Sequence, residues 1–215
     1  MDLQAKLIRA LKNRFLAPMP GWDAQSRLEP EIRKQLRKEA SQHAKAKESA
    51  VLLLLLFEDN ELKLIFIKRS DYVGVHSGQI AFPGGKFEES DTSLFETAIR
   101  ETEEEIGIPP SEIEFIGQLT TLYVPPSNFN INPYVGFLKT TPNFQIDYKE
   151  VAEVFSVPVN NFLNDDCIQQ KTITLGDGSE LLIPYYAIQS YTIWGATSMI
   201  LNEFLEVFIS SKSVI

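Results

Sequence analysis

Apolar residues recur at helical spacing near the start of the chain and give way to short continuous apolar runs further along. The spacing within residues 2–15 predicts a helix with one buried face, and the prolines and glycine at 18–21 end it. Residues 31–47 have the pattern of a second, basic helix whose charged face is solvated. We therefore expect an N-terminal helical extension, residues 1–47, packed on a main domain of residues 48–215.

The short apolar runs are typical of strands. Residues 50–58 are apolar at nearly every position, which predicts a strand buried on both faces. A turn at Asp59 and Asn60 joins it to a second strand at 62–68. Five further segments have strand character and one has an apolar helical face: strands 114–122, 134–139, 152–157, 171–175 and 181–187, and helix 196–209. Many strands with few helices, out of regular alternation, predict an α+β domain built on a mixed sheet.

One predicted helix carries a cluster of acids. Ser93 with Glu96 three residues later forms a capping box that begins the helix, and Gly107 before two prolines ends it. Four glutamates occupy five consecutive positions, 101–105, and three of them can share one helix face. Like charges at this spacing cost about 0.2–0.5 kcal/mol per pair, so a partner that offsets the repulsion is expected.

A divalent cation with oxygen ligands is the partner that fits these acids. Glu101 and Glu105 are four residues apart and suit a shared metal site, with Glu104 beside them. The backbone at Gly84 and Gly85 can approach a ligand closely, and a carbonyl there could complete the coordination shell. Spacing alone leaves a second interpretation open, a solvated acidic helix face that binds no metal.

Charge and composition argue against several classes of function. The net charge is −9 and uneven: residues 1–50 carry 11 Lys and Arg against 6 Asp and Glu, whereas residues 51–215 carry 9 against 23. Such an acidic main body argues against nucleic-acid binding. Cys167 is the only cysteine, so no internal disulfide can form and a reducing compartment fits. The apolar run at 51–57 is shorter than the roughly 20 residues that span a bilayer, so we expect no membrane association.

The surroundings of the acidic helix resemble a known family signature. The residues that carry the resemblance are Gly84, Gly85, Asp91, Arg100, Glu101, Glu104, Glu105, Gly107 and Ile108. Together they are similar to the box of the Nudix hydrolase superfamily, G-x5-E-x7-R-E-U-x-E-E-x-G-U, in which U is aliphatic. Two departures are visible. The spacing before Arg100 is one residue longer, with Asp91 at the usual glutamate position, and Thr102 occupies an aliphatic position.

The longer spacing and Asp91 are features of one branch of that superfamily, the coenzyme A pyrophosphatases. Residues 65–85 are similar to a second signature of the branch, although Gly74 replaces one of its arginines. Three further segments extend the resemblance over nearly the whole chain: 20–30, 150–158 and 193–197.

The resemblance implies a Nudix-type α/β/α sandwich with a mixed sheet and a loop–helix–loop box. Glu101 and Glu105 would be the main ligands of Mg²⁺ or Mn²⁺, with Glu104 as a further ligand or base and Gly85 contributing its carbonyl. Structural support of the box would come from Gly84, Asp91, Arg100 and Gly107. Substrate would be bound by Lys68, Arg69 and His76. Outside these sets, Glu153 is a candidate further base or metal ligand, and Trp194 is interpreted as a core residue.

The implied reaction is hydrolysis of the diphosphate of coenzyme A or acyl-CoA to 3′,5′-ADP and 4′-phosphopantetheine or its acyl derivative. Gly74 leaves open another nucleoside diphosphate derivative, such as ADP-ribose or NADH. A catalytically silent Nudix-like binding module and a scaffold with a docking acidic helix are the remaining alternatives, and the intact glutamates argue against the silent module. We expect a cytoplasmic protein, with the extension as a candidate homodimer contact.

Overall fold

The computed structural model describes residues 3–31, 46–71, 78–174, 178 and 180–212. Its helices are α1 (Leu3–Arg14), α2 (Trp22–Gln25), α3 (Leu94–Ile106) and α4 (Gly195–Lys212), with 3₁₀ turns at Ser26–Leu28, Pro110–Glu112, Val159–Leu163 and Asp165–Cys167. Its strands are β1 (Lys47–Glu58), β2 (Glu61–Arg69), β3 (Ile80–Ala81), β4 (Gly84–Lys86), β5 (Ile113–Gln118), β6 (Leu122–Val124), β7 (Phe129–Leu138), β8 (Val151–Pro158), β9 (Ile168–Thr174), β10 (Glu180–Ile188) and β11 (Tyr191–Trp194). Among these residues, no helix combines the length and the apolar character that crossing a membrane requires.

A mixed sheet of eight strands forms the centre of the fold. β1 pairs in parallel with β7, whereas its pairings with β2 and β4 are antiparallel. β2 also pairs with β3 and β8, and β7 with β5 and β6. β9, β10 and β11 form a separate antiparallel sheet, which we call the second sheet. This arrangement confirms the predicted α+β class with a mixed sheet.

The hairpin of β1 and β2 follows from its turn. Asp59 and Asn60 both have positive φ, 54° and 60°, the conformation of a type I′ turn, whose twist matches that of the flanking strands. Glu58 consequently lies opposite Glu61 in the antiparallel register. The turn predicted at Asp59 and Asn60 is therefore confirmed.

Each face of the main sheet has its own hydrophobic core. Because side chains alternate along a strand, Leu53 and Leu55 enter one core and Leu52 and Leu54 the other, and all four are fully buried. Helix α3 covers the second of these cores. Helices α1 and α4 and the second sheet cover the first. Strand β1 is thus buried on both faces, as predicted.

Two predicted strands differ most from the observed ones, and a third, 171–175, begins earlier, as β9 at Ile168. The segment 114–122 is divided into β5 and β6, because the chain leaves the sheet where the N–H of Thr120 donates to Glu203 instead of to a strand. Strand β7 begins at Phe129 rather than at 134. Its first half alternates apolar and polar residues and pairs with β1. Such alternation is a strand signal, so the predicted strand begins too late.

The N-terminal extension is described in part. Helix α1 packs against α4, with Leu7, Ile8 and Leu11 buried. The predicted helix at 31–47 lies mostly outside the described residues, and its last residue opens β1. The division of the chain into residues 1–47 and 48–215 stays a prediction.

A buried carboxylate ties this extension to the rest of the fold. Glu203 in α4 is 0% exposed. It accepts hydrogen bonds from the N–H groups of Gly21 at 3.0 Å and Thr120 at 3.2 Å and from the side chain of Gln25 at 2.8 Å. A buried charge is costly unless such donors satisfy it. Glu203 therefore fixes the segment after α1 and the end of β5 onto α4.

Replacing Glu203 with glutamine should lower the free energy of unfolding by about 1.5–3 kcal/mol, because an amide brings its own donor to face the other donors. Urea unfolding followed by circular dichroism measures the change. Glu61→Gln at an exposed position is the matched control and should shift it by less than about 0.5 kcal/mol. Equal stabilities of the two variants would contradict the anchoring role.

Candidate active site

Helix α3 begins and ends where the sequence predicts. Ser93 Oγ accepts the N–H of Glu96 at 3.2 Å, and Gly107 ends the helix with a left-handed φ of 73°. The Glu96 carboxylate bonds to the N–H and hydroxyl of Thr92 rather than to the N–H of Ser93, so the cap closes one residue earlier than a capping box would. The helix packs on β1 and β4, which brings its acids to the glycine strand.

Glu105 is the buried acid of this helix. Its residue is 2% exposed, and its Oε2 accepts the N–H of Gly84 at 3.0 Å. Its Oε1 lies 3.6 Å from Arg69 Nη1 and has no hydrogen-bond partner. Burial raises the pKa of the Glu105 carboxyl to about 8, although the Gly84 N–H and Arg69 act in the opposite direction.

Glu101 packs against the glycine turn from one helical turn away. A Cβ at Gly85 would lie 2.3 Å from its carboxylate, so only glycine allows this approach. Burial raises the pKa of Glu101, and Arg100 partly offsets that effect. Glu101 and Glu105 are electrostatically coupled, since the charge of Glu101 contributes to the raised pKa of Glu105.

Arg100 braces the loop before the helix. Its guanidinium donates to both oxygens of Asp91, at 2.9 and 3.1 Å, and to the carbonyl of Lys86 at 3.1 Å. It also donates to Glu101 at 3.0 Å and Glu104 at 3.1 Å. The Arg100 hydrogen bonds hold the pKa of the buried Asp91 carboxyl well below its usual range. These contacts fix the position of β4 relative to α3.

The three predicted metal-binding glutamates are not equivalent. The Glu104 side chain is 61% exposed and is held by Arg100, whereas Glu101 and Glu105 turn toward β4. Within the described ranges, no group of three or more His, Cys, Asp and Glu side chains is arranged to hold a metal ion. The structure thus brings together a pair, Glu101 and Glu105, at the glycine turn, and leaves Glu104 at its rim.

A further acid, Glu150, was missed by the sequence reasoning. It is exposed, and its charge raises the pKa of both Glu101 and Glu105. Its carbonyl accepts the N–H of Ser70 at 2.9 Å, which places it at the end of β2. The signal that could have found it is its position just before a predicted strand, but only the pairing of β8 with β2 shows where that strand begins.

Lys68 and Arg69, predicted to bind substrate, both lie at the end of β2, but their side chains lie at different sites. Arg69 reaches Glu105 on α3. Lys68 instead lines a cleft of about 710 Å³ between β2 and the second sheet. His76 and Gly74 lie outside the described residues. The predicted substrate-binding pair is therefore divided between the acidic site and this cleft.

Glu153 and Trp194 also line that cleft. The Glu153 carboxylate accepts the hydroxyl of Tyr191, and this bond raises the pKa of the tyrosine to about 12. Trp194 is half-buried, so its interpretation as a core residue is wrong in part. Neither residue belongs to the site at the glycine turn.

Comparison with known proteins identifies the family of this fold and site. Residues 46–173 match the NUDIX domain model. The chain belongs to the Nudix family. It is 35% identical to the Nudix hydrolase NudL of Yersinia enterocolitica over 74% of the chain and 80% of that protein. It is 31% identical to NudL of an Escherichia coli strain over 80% of the chain and 86% of that protein.

A solved Nudix structure shares the fold. RenU of M. smegmatis superposes with a TM-score of 0.52 at 14% identity, over 78% of this chain and 89% of that one. The NUDIX match and the sequence relatives make the protein a Nudix hydrolase, an enzyme that acts on the diphosphate bond of nucleoside diphosphate derivatives. The names of the two NudL relatives state no substrate.

Nudix hydrolases use divalent metal ions, and the residues present fit such an ion. Oε1 of Glu105 is buried without a hydrogen-bond partner, and the Glu101 carboxylate lies against Gly85. Carboxylate and carbonyl oxygens are the donors that hard divalent ions prefer. A cation would also relieve the cost of the buried charge on Glu105.

Asp91→Asn should destabilise the protein by about 2–4 kcal/mol at pH 7, because it removes the carboxylate that pairs with the partly buried Arg100. The Asp91 carboxyl has a lower pKa in the folded protein than its value of about 3.9 in the unfolded chain. It therefore stabilises the fold above that pH, and this stabilisation is lost as the pH falls below it. The difference between parent and variant should therefore shrink below about pH 4. Urea unfolding at several pH values tests this. Glu89→Gln, exposed, is the control; a difference independent of pH would contradict the assignment.

Metal-free protein should lose stability as the pH rises from about 4.3, the unfolded pKa of glutamate, to about 8, the pKa of Glu105. In that window the folded state holds a proton that the unfolded chain has released. Glu105→Gln removes this titration, so its stability relative to the parent should increase across the window. Urea unfolding in EDTA measures it.

The control for this titration is Glu103→Gln, which alters an exposed acid of the same helix and should keep the pH profile of the parent. If the stability of the parent relative to Glu105→Gln instead rises between about pH 5 and 8, Glu105 is not the buried proton-binding group.

Proposed function

We propose that this Nudix hydrolase cleaves the diphosphate of coenzyme A or an acyl derivative, with Mg²⁺ or Mn²⁺, to give 3′,5′-ADP and 4′-phosphopantetheine or its acyl form. The observation that carries the proposal is the buried Glu105, whose free oxygen lies beside Arg69 at a glycine turn shared with Glu101. Such a site suits the charge of a diphosphate and its cation.

The roles of the chain's own residues follow from their positions. Glu101 and Glu105 would hold the cation, and the Gly85 carbonyl would complete their set. When bound, a divalent ion supplies neutralisation of phosphate charge and activation of water. Arg69 adds a guanidinium that suits phosphate oxygens. Arg100 keeps the pair in place through its contact with Glu101.

The proton of the attacking water needs an acceptor near the pair. Glu104 is largely exposed at the rim, held by Arg100, and Glu150 is exposed close enough to raise the pKa of both buried acids. A carboxylate that reaches water without losing its contact with the site suits a general base. Glu104 and Glu150 are therefore the candidates for this role, and Glu153, bonded to Tyr191 in the cleft, is not.

Coenzyme A is proposed because residues 65–85 and the spacing before Arg100 resemble the coenzyme A pyrophosphatases. A second candidate substrate class is another nucleoside diphosphate derivative, such as ADP-ribose or NADH, which Gly74 favours by replacing an arginine of that signature. A cytoplasmic location and a homodimer through the N-terminal extension complete the proposal.

Purified protein should release 3′,5′-ADP from coenzyme A with Mg²⁺ or Mn²⁺ and release none in EDTA. Glu101→Gln and Glu105→Gln should each lower the rate on the order of 100-fold or more, because each removes a charged ligand. Mass spectrometry of products from coenzyme A, acetyl-CoA, ADP-ribose and NADH identifies the substrate.

Glu103→Gln is the matched control, since it changes an exposed acid of the same helix, and it should keep the parent rate. Calorimetric titration with Mn²⁺ should show binding by the parent and by this control, and weaker binding by Glu105→Gln. Cleavage of ADP-ribose or NADH in preference to coenzyme A would select the second candidate class. Cleavage that persists in EDTA or in Glu105→Gln would contradict the assigned site.

A further inference from the structure

We infer that the cleft between β2 and the second sheet binds a phosphate monoester that the substrate carries in addition to the diphosphate that is cleaved. Lys68 and Lys171 are its cationic ligands. The inference rests on the proposed function, because it names the substrate group that selects one nucleotide over another at the same enzyme.

The cleft has walls from two separate sheets. Lys68 of β2 and Glu153 of β8 lie opposite each other in the main sheet and form one wall. The other wall comes from β9 and β11 of the second sheet, with Lys171, Tyr191 and Trp194. Stacking of Phe155 on Tyr191, with ring centroids 3.8 Å apart, holds the sheets together beneath the cleft. Its volume of about 710 Å³ is that of a small-molecule site.

The charges in the cleft favour an anion. Across the described ranges, neither Lys68 nor Lys171 has a carboxylate within ion-pair distance. Lys171 Nζ instead donates to the hydroxyl of Thr192 at 3.1 Å. Among the described residues, the single carboxylate lining the cleft is Glu153, which accepts the hydroxyl of Tyr191. Within that described lining, two cations thus face one acid that is already hydrogen-bonded, so the net charge of these side chains is positive.

The remaining polar lining suits phosphate oxygens. Thr174, Ser190 and Thr192 line the cleft, and hydroxyl donors complement lysine in binding phosphate. A monoester carries about −1.5 to −2 charge at neutral pH, which matches two lysines better than a singly charged group does. The cleft is therefore suited to a phosphate monoester.

The end of β2 connects this cleft to the acidic site. Lys68 lines the cleft and the next residue, Arg69, lies 3.6 Å from Glu105. The N–H of Arg69 also donates to the carbonyl of Gln79 at 3.0 Å, and Gln79 lines the cleft. Because side chains alternate between the faces of a strand, a substrate that occupies both places must pass around the end of β2.

Part of the wall from the second sheet lies beyond the NUDIX match, although Lys171 lies within it. The NUDIX match ends at residue 173, whereas Tyr191 and Trp194 belong to β11. The cleft thus combines residues inside the NUDIX match with residues that follow it. Such a wall can decide which substrate is accepted without changing the bond that is broken.

Steady-state kinetics with coenzyme A and 3′-dephospho-coenzyme A test the inference, because the two differ only by a monoester. The parent should have a KM for coenzyme A about tenfold below that for the dephospho compound. Lys171→Met should remove this difference by raising the KM for coenzyme A alone, with kcat within about twofold. Lys171→Arg should restore most of it, and Lys6→Met, an exposed lysine of α1, should resemble the parent.

Two results would overturn the inference: equal KM values for both compounds in the parent, or an equal rise for both in Lys171→Met. If the parent cleaves neither compound, the proposed function fails, and calorimetric titration of metal-free protein still decides about the cleft. Tighter binding of 3′,5′-ADP than of 5′-AMP that is lost in Lys171→Met supports the inference, and equal binding of the two nucleotides contradicts it.

Discussion

The close approach of strand β4 to both β1 and helix α3 is the constraint on which the site depends. A Cβ at Gly84 would lie 2.3 Å from the carbonyl oxygen of Ala50, and one at Gly85 would lie 2.3 Å from the Glu101 carboxylate. With no side chains in between, the Gly84 N–H reaches Glu105 and water is excluded from that carboxylate. Burial then makes the charge on Glu105 expensive, which raises the pKa of its carboxyl to about 8.

Much of the helix and hairpin geometry could be predicted because its determinants are local. Ser93 and Gly107 mark the ends of α3 by their own chemistry, and Asp59 and Asn60 make the turn between β1 and β2. The parallel pairing of β1 with β7 could not be read in the same way, since it joins segments distant in the chain. The start of β7, in contrast, alternates apolar and polar residues, a local signal that the predicted strand at 134–139 leaves out.

The sequence predicted which acids lie near one another on α3 better than it predicted how buried each of them is. Helical spacing placed Glu101, Glu104 and Glu105 together, but burial distinguishes them, and burial depends on what packs above each one. Glu150 was not predicted because it lies outside α3, just before β8. The cleft was not predicted because its two walls lie in different sheets, and no pattern within either sheet shows that they face each other.

Two neighbouring residues at the end of β2 lie in opposite electrostatic environments. Arg69 lies with an acidic pair that burial makes costly to ionise, while Lys68 faces a cleft with an excess of cations. In a protein with a net charge of −9, a local positive region draws anions that the surface as a whole repels. The acidic pair, in contrast, becomes compatible with a phosphate only after its own charge has been neutralised.

The carboxylate of Glu203 has a consequence for how the protein is made. Gly21 and Gln25 leave the ribosome well before their shared acceptor, which is synthesised 182 and 178 residues after them. Until then the early segment has no docking partner at that position, while the central strands can already pair. Growing chains generally fold in the order in which they emerge; here an earlier segment reaches its final place only after a helix made much later has emerged.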